Sequence, residues 1–151
     1  MNSHILIRKG QKNDLPAVIS LVTELAVFEK EPDAVTAQLQ DYEKAYDNKL
    51  IDFHVALDQD KIIGMALYYD TFSTWKGHML YLEDFYVQPA YRSLGLGGQL
   101  FDAVVEEARA RGSVLLKWQV LDWNTRAINF YKSKNAEIET IWYNGKLWLN
   151  K

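Results

Sequence analysis

Tyr81-Leu82-Glu83-Asp84-Phe85-Tyr86-Val87, followed past Pro89 by Arg92-Ser93-Leu94-Gly95-Leu96-Gly97-Gly98, is the stretch on which the reading of this chain turns. The first seven residues end a strand that starts near His78 and stops at Pro89. Leu100, Phe101, Val104 and Ala108 then fall on one helical stripe that closes at Gly112, so the glycine-bearing loop joins a strand to the start of an amphipathic helix. A helix N-terminus presents unpaired N–H groups and the positive end of its dipole, and glycines let an anion approach the backbone closely. Arg92 is placed to add a charge-assisted contact to a phosphate. The spacing is neither a Walker loop nor the three-glycine Rossmann fingerprint. Taken alone it fits a tight strand-to-helix turn as well as an anion site.

Outward from this loop the periodicities alternate. Ile5–Ile7 predicts a short strand before a Gly10 turn, and Leu15, Val18, Ile19, Val22, Leu25 and Ala26 predict a helix capped at Asn13 and ending near Glu29–Pro32. Thr36 is a candidate cap for a second, more polar helix reaching about Asp47. Ile51–Leu57 and Ile62–Tyr69 read as two strands around Asp58-Gln59-Asp60-Lys61. The apolar run Val114–Leu121 predicts a central strand buried on both faces. A helix from Asn124 to about Lys134 follows, and Ile138–Tyr143, Asn144-Gly145 and Lys146–Leu149 predict a closing hairpin. The order β-α-α-β-β-β-α-β-α-β-β implies an α/β fold with one mixed sheet and a single domain over residues 1–151.

Composition narrows the function classes. The 151 residues, 48% of them hydrophobic and 25% charged, suit one globular domain with a real core. A net charge of −3 argues against nucleic acid as partner. With no cysteine there is no disulfide framework and no acyl-cysteine intermediate, so acyl transfer would have to be direct or use another nucleophile. His4, His54 and His78 are scattered without carboxylate spacing, and no metal is expected. The N-terminus lacks the apolar region of a signal peptide and no stretch is long enough to span a membrane, which points to a cytoplasmic protein.

Two further clusters could carry chemistry. Glu83 and Asp84 are adjacent in a strand, where neighbours face opposite sides unless a bulge intervenes. As residues they fit a solvated edge or a lysine pairing as well as a general base. Asn124, Ile128 and Tyr131 share one face of the last helix. On the residues alone Tyr131 reads first as a packed core tyrosine and then as a proton donor, and Asn124 first as a plain N-cap and then as a ligand contact.

The pattern (Gln/Arg)-x-x-Gly-x-(Gly/Ala) opening a helix after the fourth strand resembles the acetyl-CoA pyrophosphate loop of the GCN5-related N-acetyltransferases. Tyr81–Val87, the loop, and Val120-Leu121-Asp122-Trp123-Asn124 with Asn129-Phe130-Tyr131-Lys132 look like the diamine acetyltransferase branch, the spermidine/spermine and thialysine acetyltransferases. The resemblance covers nearly the whole chain and is densest from Thr71 to Ala136. It implies that Phe85, Tyr86, Val87, Arg92, Ser93, Leu94, Gly95, Leu96, Gly97, Gly98, Asn124, Thr125, Arg126 and Ala127 bind acetyl-CoA. It places Glu83 at the substrate amine, where it is the candidate base, acting directly or through a water. It assigns Tyr131 as the acid, and puts Phe28, Glu29, Ser73, Trp75, Asp84, Lys117, Trp118 and Gln119 around the amine. Relatives usually carry glycine where this chain has Ser93. Ser73-Thr74-Trp75 and Val120–Asn124 are closer to the thialysine type, whose pocket needs fewer carboxylates than a polyamine's. A homodimer is expected from the same resemblance.

The chemistry suits these assignments. An amine with pKa near ~10.4 is almost wholly protonated at neutral pH and needs a base, while the leaving thiolate needs an acid. A catalytically silent acetyl-CoA sensor is the alternative from a different class, and acetylation of a protein lysine or N-terminus is a third reading.

Overall fold

The computed structural model describes residues 4–150, with the Ser93 side chain outside that description. The chain divides into two compact units, 1–119 and 120–151.

In the first unit, β1 (Ile5–Lys9), β2 (Asp52–Asp58), β3 (Lys61–Ser73), β4 (Gly77–Val87) and β5 (Leu115–Trp118) form one sheet in that order. The first four strands are antiparallel and β5 joins β4 in parallel. A parallel neighbour requires a crossover, and α3 (Leu96–Ala110) supplies it. Helices α1 (Leu15–Phe28) and α2 (Leu39–Asp47) lie between β1 and β2 in sequence.

The strands explain the layering. Alternate residues Phe53, Val55 and Leu57 of β2 join Met65 and Leu67 of β3 and Tyr86 of β4 in one buried cluster with Leu15, Val18, Leu21 and Val22 of α1. On the opposite face, Phe101 of α3 sits edge-on to Phe85 of β4 and to Trp118 of β5, with ring centroids 5.8 and 5.5 Å apart. An ion-pair network closes that face at the far end of α3. Arg111 binds Asp52, Asp70 and Glu107, and Lys9 binds Asp52 and Glu107.

Several boundaries move from expectation. The first helix is preceded by a 3-10 turn at Lys12–Asp14, so Asp14 takes the cap position assigned to Asn13. The second helix begins at Leu39, with Gln38 and Asp41 forming a capping box in place of Thr36. Strand β3 runs on to Ser73, past the expected Tyr69.

Two expectations at the C-terminal end are corrected. Residues 138–149 form no strands among the described residues, and Ile141, Trp142, Leu147 and Leu149 are exposed. Strand β5 is therefore the last in the sheet and not a central one, and Leu115 is 43% exposed. An apolar run reports burial only if a partner arrives on each side, and among the described residues β5 has a strand partner on one side only.

The second unit contains α4 (Thr125–Ser133). Asn124 caps it, its side-chain oxygen accepting from the Ala127 N–H at 3.2 Å. Tyr131 is buried, with its ring edge-on to Phe130.

Candidate active site

A β-bulge builds the centre of the site. Along β4, Leu82 pairs with Tyr68 and Asp84 with Leu67, which leaves Glu83 as the extra residue. One inserted residue resets the pleat, so the two carboxylates are no longer on opposite faces. Glu83 and Asp84 together line a cleft of about 360 Å³ with Asp41 and Tyr42 of α2 and Tyr69 of β3. Asp84 also borders an adjoining cavity of about 170 Å³ with Glu29 and Glu31.

Electrostatics in the cleft favour a cation. The Asp84 carboxyl is pushed up to about 6, first by burial and then by the charges of Glu83 and Glu29. Burial also raises Glu29. Tyr69 donates its phenol to Glu83 Oε1 at 2.8 Å and stacks on Tyr81, with centroids 5.4 Å apart. Burial and that hydrogen bond hold the Tyr69 phenol well above its ordinary range, so it stays a donor. The phenol of Tyr42 is raised by burial and by the charges of Asp84 and Glu83. Carboxylates with tyrosine faces beside them are what a desolvated ammonium needs.

Asp84 gives a signed prediction. Its folded pKa lies above that of an unfolded aspartate, so the native state binds more protons and wild-type stability falls as pH rises from about 4 to about 6. Asp84→Asn keeps the shape and removes the charge. A shift of this size has a ceiling of about 3 kcal/mol, and for a half-buried group about 1–2 kcal/mol of stabilisation is expected above pH 6. Urea melts at about pH 4 and about pH 8 check it, with the gain confined to the higher pH. An equal effect at both values would refute the assignment.

The glycine loop takes the expected position. A 3-10 turn, Pro89–Leu94, leads to Gly95, whose φ of 74° is left-handed, and α3 begins at Leu96. Glycine takes that angle with no Cβ penalty. Ser93 lies within the 3-10 turn, where any residue fits, so its replacement of glycine leaves the backbone path unstrained. A Cβ at Gly97 would meet nothing within 4 Å, which leaves the first turn of α3 open to a ligand. Arg92 Nε donates to the Val87 carbonyl at 2.9 Å.

The other predicted residues separate. Phe85 packs toward α3 and Tyr86 toward α1, where its hydroxyl donates to Glu24 at 3.0 Å. Pairing of β4 with β5 stops at Leu82, whereas its pairing with β3 continues to Val87. Register sets Lys117 beside Tyr81, and Trp118 packs on Phe101 on the α3 face, opposite the acidic cleft. Gln119 follows β5 and is exposed. Ser73 ends β3 and Trp75 lies in the turn to β4, where Ser73 Oγ accepts from the N–H groups of Trp75 and Lys76, and neither lines the cleft. Asn124–Ala127 and Tyr131 belong to the second unit, at the N-cap and first turn and at the last turn of α4.

Sequence reasoning passed over Tyr69, Tyr42, Asp41 and Glu31. Tyr69 sits fourteen residues from Glu83 on a neighbouring strand, and only strand pairing brings them together.

The profile of the acetyltransferase (GNAT) family matches residues 16–135. The chain belongs to that family. Membership makes it an acetyltransferase, an acyl-transferring enzyme. Among its relatives, a thialysine N-epsilon-acetyltransferase of Caenorhabditis elegans is 40% identical over 114 residues, covering 76% of this chain and 71% of that one. The Bos taurus protein of the same name is 33% identical over 143 residues, covering 88% and 84%. A spermidine/spermine N(1)-acetyltransferase-like protein of Homo sapiens is 34% identical over 139 residues, covering 86% of this chain and 20% of the human protein. The solved structure of an aminoglycoside acetyltransferase from an uncultured soil metagenomic sample superposes with a TM-score of 0.83 at 21% identity, covering 97% and 99% of the two chains. At that identity the likeness speaks for the fold.

Proposed function

We propose that this GNAT member transfers acetyl directly from acetyl-CoA to a primary amine of a lysine-like acceptor, thialysine or lysine, or of a short diamine. The observation that carries the reading is the cleft in which the bulge at β4 gathers Glu83 and Asp84 beside Tyr69 and Tyr42. An ammonium enters as a cation, and Glu83, oriented by the Tyr69 hydroxyl, accepts its proton directly or through a water. The neutral amine attacks the thioester carbonyl, the C–S bond breaks, and the leaving thiolate takes a proton from the Tyr131 phenol. The second proton, shed by the nitrogen as the amide forms, returns the phenolate to phenol through solvent, while Glu83 gives its own proton to solvent. The pyrophosphate is assigned to Arg92 and the first turn of α3, and the pantetheine arm to the end of β4 that outruns β5.

The thialysine acetyltransferase names of the relatives support the lysine-like choice over spermidine. Thiol release from acetyl-CoA, measured with thialysine, lysine, putrescine and spermidine, tests it. The expected order puts the lysine-like amines first by kcat/KM, and a clear preference for spermidine would overturn that choice. CoA binding with no turnover on any amine would favour the silent sensor, and turnover on peptides alone would favour protein acetylation. A cytoplasmic homodimer belongs to the same proposal. The exposed Ile141, Trp142, Leu147 and Leu149 support an assembly, and sedimentation at micromolar concentration should show the dimer mass.

A further inference from the structure

The sequence resemblance gives Phe28 to the amine, together with Glu29. The structure divides these neighbours. Glu29 lines the acidic cavity, whereas the Phe28 ring lies over the Arg92 guanidinium, whose central carbon is 5.6 Å from the ring centroid. The Tyr86 ring approaches the same guanidinium at 5.4 Å. Both distances fall within the range in which an aromatic face attracts a cation. The Arg92 Nε is already committed to the Val87 carbonyl at 2.9 Å, so contact with an anion falls to the terminal nitrogens. Tyr86 is itself held, its hydroxyl donating to Glu24 Oε1 at 3.0 Å while Gln88 Nε2 donates to Glu24 Oε2 at 3.1 Å.

We propose that Phe28, with Tyr86, is a positioning residue for the cofactor arginine: the two rings and the Val87 carbonyl hold the Arg92 guanidinium ready for the CoA pyrophosphate. The proposal rests on the assignment of Arg92 to that pyrophosphate. An arginine side chain is rotamer-rich, and ordering it at the moment of binding opposes affinity. A stack already formed in the unliganded protein removes part of that cost. The last residue of α1 therefore serves the cofactor loop, and the next residue serves the amine.

Calorimetric titration of CoA into wild type, Phe28→Ala, Phe28→Leu and Phe28→Tyr tests this, alongside KM for acetyl-CoA and for the amine. Phe28 is 42% exposed at a helix end, so all four proteins are expected to fold, with thermal melts as the control. Loss of the ring should weaken CoA binding about three- to tenfold in both the alanine and the leucine variants. Tyrosine, which keeps the aromatic face, should restore it to within about twofold, and the amine KM should stay within about twofold throughout. Wild-type affinity in Phe28→Leu would reduce the stack to apolar packing and overturn the proposal. A raised amine KM with unchanged CoA affinity in Phe28→Ala would return Phe28 to the amine side and overturn it too. A wild type that binds no CoA defeats the cofactor assignment itself, and that is read from the first titration before any variant is compared.

Discussion

Replacing Tyr131 with phenylalanine is expected to lower kcat by about 100-fold or more while CoA affinity stays within about twofold. The substitution removes one oxygen from a buried side chain and keeps the ring, so the edge-on contact with Phe130 at 5.4 Å survives and the helix is undisturbed. What is lost is a phenol O–H, the donor that meets the thiolate as the C–S bond breaks. Because the phenol acts on a charge that exists only as the reaction proceeds, its removal should appear in kcat and leave ground-state binding alone. Stopped-flow turnover and CoA calorimetry on the same preparation separate the two. An unchanged kcat would remove Tyr131 from the mechanism, and a large rise in the CoA Kd would make it a binding residue.

The second large effect falls on stability. Gly10 is buried at the end of β1, where its N–H donates to the Phe53 carbonyl at 2.8 Å. A Cβ added there would lie 2.0 Å from Phe53 Cε2 and 2.2 Å from Cδ2. Phe53 has no way to yield cheaply. It is fully buried in the α1 cluster, with the Tyr46 ring edge-on at 5.9 Å. Gly10→Ala should therefore destabilise the fold by about 3 kcal/mol or more, at the upper end of overpacking costs. For a chain of this length that is a fall in Tm of about 10 °C. Adding Phe53→Leu to Gly10→Ala should recover part of the loss, since the clash is with the ring, and a double-mutant cycle reads the coupling. A Tm within about 2 °C of wild type for the single variant would show that the ring moves aside freely.

Much of the fold was legible because it is written in local periodicity. The stripe Leu15, Val18, Val22 marks α1, the stripe Leu100, Val104, Ala108 marks α3, and Pro89 closes β4, all within a few residues of where they are found. The C-terminal hairpin was misread for the same reason. Asn144-Gly145 between apolar residues is a local turn signal, yet a hairpin persists only if its apolar face finds a surface, and Ile141 and Leu147 remain exposed. The apolar run at β5 carried the same weakness, since composition records a strand's apolar character and not its place in the sheet.

The site divides along the same line. The loop Arg92–Gly98, the capping Asn124 and the Glu83-Asp84 pair were visible as residue types in a recognisable order, because a left-handed Gly95 and a helix N-cap are demands of the local backbone. By itself, then, the sequence determined the family, the glycine loop between β4 and α3, and which carboxylates to suspect. Only the tertiary structure decided that both carboxylates enter one cleft, that Tyr69 orients Glu83, that Asp84 titrates near 6, and that Phe28 turns to Arg92 while Glu29 lines the acidic cavity beside Asp84. Each of these depends on the register between β3 and β4 or on the docking of α1 against the sheet. Those are contacts between residues far apart in the chain, and a one-residue bulge in such a register turns every later side chain to the other face.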